Sequence, residues 1–229
     1  MSNANDKGAA DTVLHNIHQY NIDVNNREIY LHSYIDGEDE AGLDYRVAIS
    51  LEKNIRYLNT ISSDPILIHM HLPGGDWQDC LGMYDTIMSS KAKIIILAYA
   101  KAESSSGVLL QSSRLRILMP NTSLMIHYGF LSLDAEHSKA AASSIKWNEQ
   151  ECEKMLEIFT DRCVDSPIYK EKKWKRMMAK KHIMSQINNQ CDWILSSEEA
   201  IRYGFADGVL GSEEFPSIDY LKTYVKKLK

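Results

Sequence analysis

The four cysteines, Cys80, Cys152, Cys163 and Cys191, are far apart in 229 residues and show no short paired spacing. That excludes a zinc cluster of the usual ligand pattern and gives no disulfide framework. Reduced thiols, as in a cytosolic protein, are the expectation. No apolar run reaches membrane length, and the opening Met1-Ser2-Asn3-Ala4-Asn5-Asp6-Lys7 is polar rather than signal-like. Positive charge is not in excess either: 26 lysines and arginines stand against 31 acidic residues, a formal charge of −5. The lysines within 170–181 and those near the end (Lys222, Lys226, Lys227, Lys229) read as solvated faces, and nucleic acid is not an expected partner. His69 and His71 share a strand face but lack an evident third ligand, and no stretch reads as a nucleotide site. A cytoplasmic protein with no cofactor, no metal, no nucleic-acid partner and no membrane partner is expected.

What the chain does have is apolar residue in quantity, 44%, enough for one full core. Residues 1–25 carry only scattered apolar positions and read as a flexible arm. Glu28-Ile29-Tyr30-Leu31 reads as a strand, and Asp36-Gly37-Glu38-Asp39 as a turn. Val47, Leu51, Ile55, Leu58 and Ile61 recur at helical steps. Ile66 to Leu72 is a nearly continuous apolar strand, the pattern of a parallel sheet covered on both faces. Pro73-Gly74-Gly75 after it frees the backbone to turn and to present its N–H groups. Asp79 to Ser90 is helical, with Leu81, Tyr84, Ile87 and Met88 inward; strand Lys93 to Ala98 follows, so strand and helix alternate in a βαβα pattern. Leu115–Met119 and Leu124–His127 are strands about a Pro120-Asn121-Thr122 turn. A long helical pattern over about 136–163 suggests an arm or an oligomer contact. A basic helix through Trp174, Met177 and Met178 follows, with those three as packing residues; a short strand then ends at Leu195 and a capped helix closes at Gly204. Residues 26–212 form the domain, with an extended insertion at about 165–190, and 213–229 form a polar tail.

Ser104-Ser105-Ser106-Gly107 sits where an apolar strand gives way to a short helix. Such serines are commonly plain helix caps. A strand end backed by helix N–H groups is also a place for a nucleophilic hydroxyl and an oxyanion site. Taken alone, the cluster leaves both readings open, as Asp192 alone leaves a turn cap open beside an acid.

Pro73-Gly74-Gly75, then Tyr84-Asp85-Thr86, Ser105-Ser106-Gly107, Met119-Pro120-Asn121 leading to Met125-Ile126-His127, and finally Asp192 to Asp207 form an ordered set over roughly 27–210. That set resembles the proteolytic subunit of the Clp (caseinolytic) protease family, as a divergent member. The resemblance implies an α/β, crotonase-like fold of repeated ββα units with a helical handle. It implies a serine endopeptidase acting on unfolded polypeptide or short peptides inside a self-compartmentalised homo-oligomeric ring, heptameric, with a double ring and an ATP-driven unfoldase as further partners. Residue by residue, it implies Ser105 as nucleophile, His127 as base, Asp192 as orienting acid, and the N–H groups of Gly75 and Ser106 as the oxyanion hole. The serine register has two solutions: an ungapped count from Tyr84 reaches Ser104, and a count back from Gly107 reaches Ser105, which is preferred because the glycine lies in the tight turn holding the nucleophile. Ser104 then caps the helix. After the histidine the family has Gln-Pro and a glycine-rich strand that docks peptide and helps join rings, where this chain has Tyr128-Gly129-Phe130-Leu131-Ser132-Leu133-Asp134. Two rival functions share parts of this pattern: an acyl-CoA enzyme of the same fold, using a glutamate base, and an assembly protein that has lost turnover.

Overall fold

The computed structural model describes residues 4–36, 39–40, 42–131 and 138–228. Helix α1 (Ala4–Tyr20) leads into β1 (Ile22–Asp23), which pairs antiparallel with β2 (Glu28–His32). The short ribbon β3 (Ile35–Asp36) and β4 (Asp39–Glu40) flanks the expected turn, whose Gly37 and Glu38 lie outside the described residues. Then come α2 (Tyr45–Ile61), β5 (Ile66–Leu72), α3 (Trp77–Met88), β6 (Ile94–Glu103), α4 (Ser105–Leu110), β7 (Leu115–Leu118) and β8 (Ser123–Ile126). The second half is mainly helical: α5 (Ser138–Cys163), α6 (Pro167–Glu171), α7 (Arg176–Gln190), β9 (Trp193–Leu195), α8 (Ser197–Tyr203), β10 (Gly208–Val209) and α9 (Ile218–Lys227).

The sheet runs β1-β2-β5-β6-β7-β10, with the pairs after β1–β2 on this path parallel, and β8 and β9 branch from it as β8 pairs with β6 and β9. Strand periodicity sorts its side chains to two faces. Ile66, Ile68, Met70 and Leu72 of β5, with Ile94, Ile96 and Ala98 of β6, join the main core under α2, α3 and α4. Leu67, Ile95 and Leu97 point the other way, to a second core with Leu115, Ile117 and Phe215.

That second core corrects the reading of 213–229 as a polar tail. Its residues form α9, whose Leu221 and Val225 are fully buried against the sheet. Apolar side chains at a spacing of four among lysines make one narrow apolar stripe, enough to seal the open face. The expectation of a flexible arm at 1–25 is corrected as well: α1 is helical, and Ile22 and Asp23 are buried where β1 joins the sheet. The segment is tied by Tyr30 N–H donating to Asn21 O and by Asn54 Nδ2 donating to Tyr20 O.

The predicted long helix is α5, described from Ser138. Its first half is mostly exposed, including Ile145 and Trp147, and only Met155, Leu156, Phe159, Thr160 and Cys163 are buried. It projects as a handle whose base is fixed by Arg162, which donates to the carbonyls of Gln111 and Ser113 just after α4. Three side chains depart from the predicted packing: Met88, Met177 and Met178 are exposed, each lying on the solvent side of its helix. Trp174 precedes α7 and stacks on Tyr169.

Candidate active site

β6 is the longest strand, and it does not run straight. Ala100 has a positive φ of 54°, and the β5–β6 register shifts between Met70 and Leu72. Beyond this bulge β6 leaves β7 and pairs its last residues, Lys101–Glu103, with β8. A bulge that bends one strand into a new partner is a common way to aim residues at a site. Here the pairing Glu103↔Met125, continued one residue, brings Ser104 beside the end of β8. The antiparallel pairing Ile126↔Trp193, continued likewise, brings His127 opposite Asp192. Three strand ends distant in sequence meet.

His127 Nδ1 lies 2.9 Å from Asp192 Oδ1, and the Ser104 hydroxyl lies 2.8 Å from His127 Nε2. An ionised carboxylate only accepts, so Nδ1 carries the proton and Nε2 is free to accept from Ser104. The histidine is largely covered, with 14% of its side chain exposed, while Asp192 is 55% exposed. Cys191, with φ 62°, turns the chain from α7 into β9 and so sets the aspartate at the strand's entry.

The serine facing His127 is therefore Ser104, which corrects the placement of Ser105. Ser104 occupies the N-cap position of α4 but makes no side-chain cap bond, because its hydroxyl is turned to the imidazole; the expected capping role falls with it. Its backbone is strained, φ 56° and ψ −131°, a region a non-glycine residue occupies only when its surroundings enforce it. Ser104 N–H donates to Met125 O, which helps to enforce it. Ser105 turns its hydroxyl to Gly75 O at 3.2 Å, and Ser106, fully buried, donates to the carbonyls of Leu72 and Glu103. Gly107 is required by its contact with Ala102 O, which an added Cβ would crowd at 2.9 Å. It stands three residues after the serine that faces His127, not two. The ungapped count from Tyr84 reaches this serine.

Pro73-Gly74-Gly75 lies alongside. Gly74 has φ 108°, and a side chain there would crowd Ser104 Cβ and Glu103 O, both at 2.8 Å. Gly75 has φ 149° and packs on the Leu43 backbone; Gly74 O accepts from Leu43 N–H and Leu43 O from Asp76 N–H. This leaves Gly75 N–H without a hydrogen-bond partner among the described residues, as is Ser105 N–H at the start of α4. Gly75 is exposed, whereas Ser106 has no exposed surface; the residue following Ser104 is Ser105. The buried Cys80 thiol, pushed up to about 12 by burial, donates to Ser105 O and supports that turn from behind.

A cavity of about 460 Å³ opens beside Ser104, Ser105 and His127. Trp77, Val108 and Met155 form its apolar walls, and the handle contributes Asn148, Glu151 and Cys152. Nothing in the sequence had singled out Trp77, Asn148 or Glu151; the spacing 148, 151/152, 155 is one helix face, but only the fold shows what it faces. Of the loop after His127, residues 128–131 are described, with Phe130 almost wholly exposed and edge-on to the His127 ring; Ser132, Leu133 and Asp134 lie outside the described residues. His69, the strand histidine considered for a metal, bonds instead to Tyr99 and Glu28 on the far face of the sheet.

The Clp protease family matches residues 15–213. The ATP-dependent Clp protease proteolytic subunit 3 of Synechococcus sp. (strain CC9902) is 27% identical over 167 residues, covering 72% of this chain and 76% of its own. Proteolytic subunit 2 of Leifsonia xyli subsp. xyli is 27% identical over 163 residues, covering 67% and 65%. A solved ClpP1 point variant from Listeria monocytogenes superposes with a TM-score of 0.66 at 18% identity, over 83% of this chain and 95% of that one, which establishes the crotonase-like fold. With the family match running over most of its length, this chain belongs to the Clp protease family and is a serine-type peptidase.

Proposed function

We propose that this protein cleaves extended polypeptide with Ser104 as nucleophile, His127 as general base and then acid, and Asp192 as the group that orients the imidazole. The observation carrying the proposal is the unbroken line Asp192–His127–Ser104 at 2.9 and 2.8 Å. As Ser104 Oγ bonds to the peptide carbonyl carbon, its proton passes to His127 Nε2, and Asp192 stabilises the imidazolium. The carbonyl oxygen, now anionic, is met by the N–H groups of Gly75 and Ser105; one such donor is typically worth about 2.7–4 kcal/mol of barrier. Breaking the C–N bond sends the proton from His127 to the departing amine. Water, deprotonated by the same imidazole, then hydrolyses the Ser104 ester and restores the enzyme.

The relatives are named as subunits of an ATP-dependent protease, which supports a homo-oligomer served by an ATP-driven partner. We extend this to a heptameric ring, the unit of a double ring, enclosing the sites and admitting unfolded chains. The rival acyl-CoA reading finds one point of support, since a carboxylate, Glu151, does line the cavity. It gives no task to the bond between Ser104 and His127. A fluorophosphonate probe with peptide mapping separates the readings: an adduct on Ser104 is expected, and a folded protein that forms none overturns the peptidase mechanism. Sedimentation or light scattering tests the ring, and a stable monomer would overturn it.

A further inference from the structure

The inner walls of the cavity are apolar, with Val108 and Met155 buried and Trp77 beside them. Toward solvent the lining changes. Asn148 and Glu151 of α5 are half-buried, and Asp76 is exposed at the start of α3. One oxygen of Glu151 accepts from Gln78 Nε2, a neutral donor, so its charge is not neutralised by that contact. Asp76 uses one oxygen to cap Asp79 N–H, likewise a neutral donor. Among the described residues no lysine or arginine lines the cavity, and the only imidazole there, His127, is held between Ser104 and Asp192. A pocket with an apolar depth and two uncompensated carboxylates along its approach suits a side chain that is apolar along its stem and positive at its end.

With the carbonyl oxygen at Gly75 N–H and Ser105 N–H, the side chain on the acyl side of the scissile bond is one bond from the attacked carbon and has this cavity beside it. We infer that the cavity selects lysine or arginine at that position, with Glu151 as the residue that reads the charge. This rests on the peptidase reading above. The stem packs along Trp77 and Met155, and the ammonium or guanidinium group bonds the free oxygen of Glu151. Acidic side chains are repelled by Glu151 and Asp76.

The test is a set of fluorogenic peptides identical except at the acyl-side residue, carrying lysine, arginine, norleucine, leucine, glutamine or glutamate. Lysine is expected to exceed norleucine in kcat/KM by about tenfold or more, the scale of one charge-assisted hydrogen bond in a partly buried site. The ratio should fall toward one in Glu151→Gln, which keeps shape and the Gln78 contact, and should shrink with added salt in the unmodified protein. A wild-type preference for norleucine, leucine or glutamine over lysine overturns the inference, and so does a lysine preference that Glu151→Gln leaves unchanged. Peptidyl phosphonates with lysine or norleucine side chains give the same comparison as rates of adduct formation on Ser104. If a plain fluorophosphonate labels Ser104 and the lysine reagent shows no advantage, the cavity assignment fails and the peptidase mechanism stands. If nothing labels Ser104, both fail.

Discussion

Ser104 gives its hydroxyl to His127 across 2.8 Å, although the two residues follow different strands and are 23 positions apart. The bond exists because β6 bends past Ala100 to pair with β8, and because the chain accepts a strained backbone at Ser104 to turn the side chain toward the imidazole. That arrangement sets apart three serines that look alike in sequence.

Ser104→Ala should abolish peptide hydrolysis, lowering kcat by at least about a thousandfold, since the nucleophile and base act as a unit. Ser105→Ala, which removes only a bond to Gly75 O, should stay within about tenfold because the reacting N–H is retained. Equal losses in the two variants, measured on one peptide substrate, would contradict the assignment.

Asp192→Asn preserves shape but allows Nδ1 to accept rather than donate, so Nε2 can carry the proton and no longer take one from Ser104. A fall in kcat of about a hundred- to ten-thousandfold with little change in KM is expected, the upper figure being the scale known for a buried triad. The partial exposure of Asp192 places it below that limit.

Gly75→Ala would drive a Cβ into the Leu43 backbone and force the loop away from Ser105. Loss of one oxyanion donor corresponds to about a hundred- to a thousandfold in kcat. A melting temperature close to wild type alongside that loss would show that the loop, and not the fold, had moved.

Leu221→Ala opens a cavity under α9, in the smaller core, and should cost about 2–5 kcal/mol in denaturant unfolding. Removal of residues 213–229 should expose Leu67, Ile95, Leu97 and Ile117 and yield aggregation, where a polar tail would be dispensable.

Glu28 anchors the same helix. Burial opposes its ionisation, but hydrogen bonds from His69 and Lys222 outweigh that and bring its pKa down to about 2 from 4.5. A carboxylate more acidic folded than unfolded stabilises the fold above its unfolded pKa, and that contribution is lost as pH falls from about 4.5 toward 2. The melting temperature of wild type should exceed that of Glu28→Gln at pH 7, and the gap should narrow below about pH 5. A constant gap down to pH 3 would assign the difference to packing alone.

Much of the chain was legible as pattern. The apolar run Ile66–Leu72 declared a covered parallel strand, the spacing Val47, Leu51, Ile55, Leu58 declared α2, and the ordered motifs pointed to His127 and Asp192 as partners. These are local or strongly periodic signals, which a linear reading can follow. Residues 1–25 and 213–229 were misread because few, spaced apolar positions among charges carry little periodic signal until a sheet face is there to receive them. The choice among Ser104, Ser105 and Ser106 depends on a bulge at Ala100, on a glycine's contact with Ala102 and on one strained residue, none of which is written in a count of positions. The residue types for the chemistry were set by the sequence itself. Which hydroxyl meets the imidazole, and that a glutamate of the handle lines the same cavity, were decided only when strands and helices distant in the chain packed together, because contact is a property of three dimensions and spacing is not.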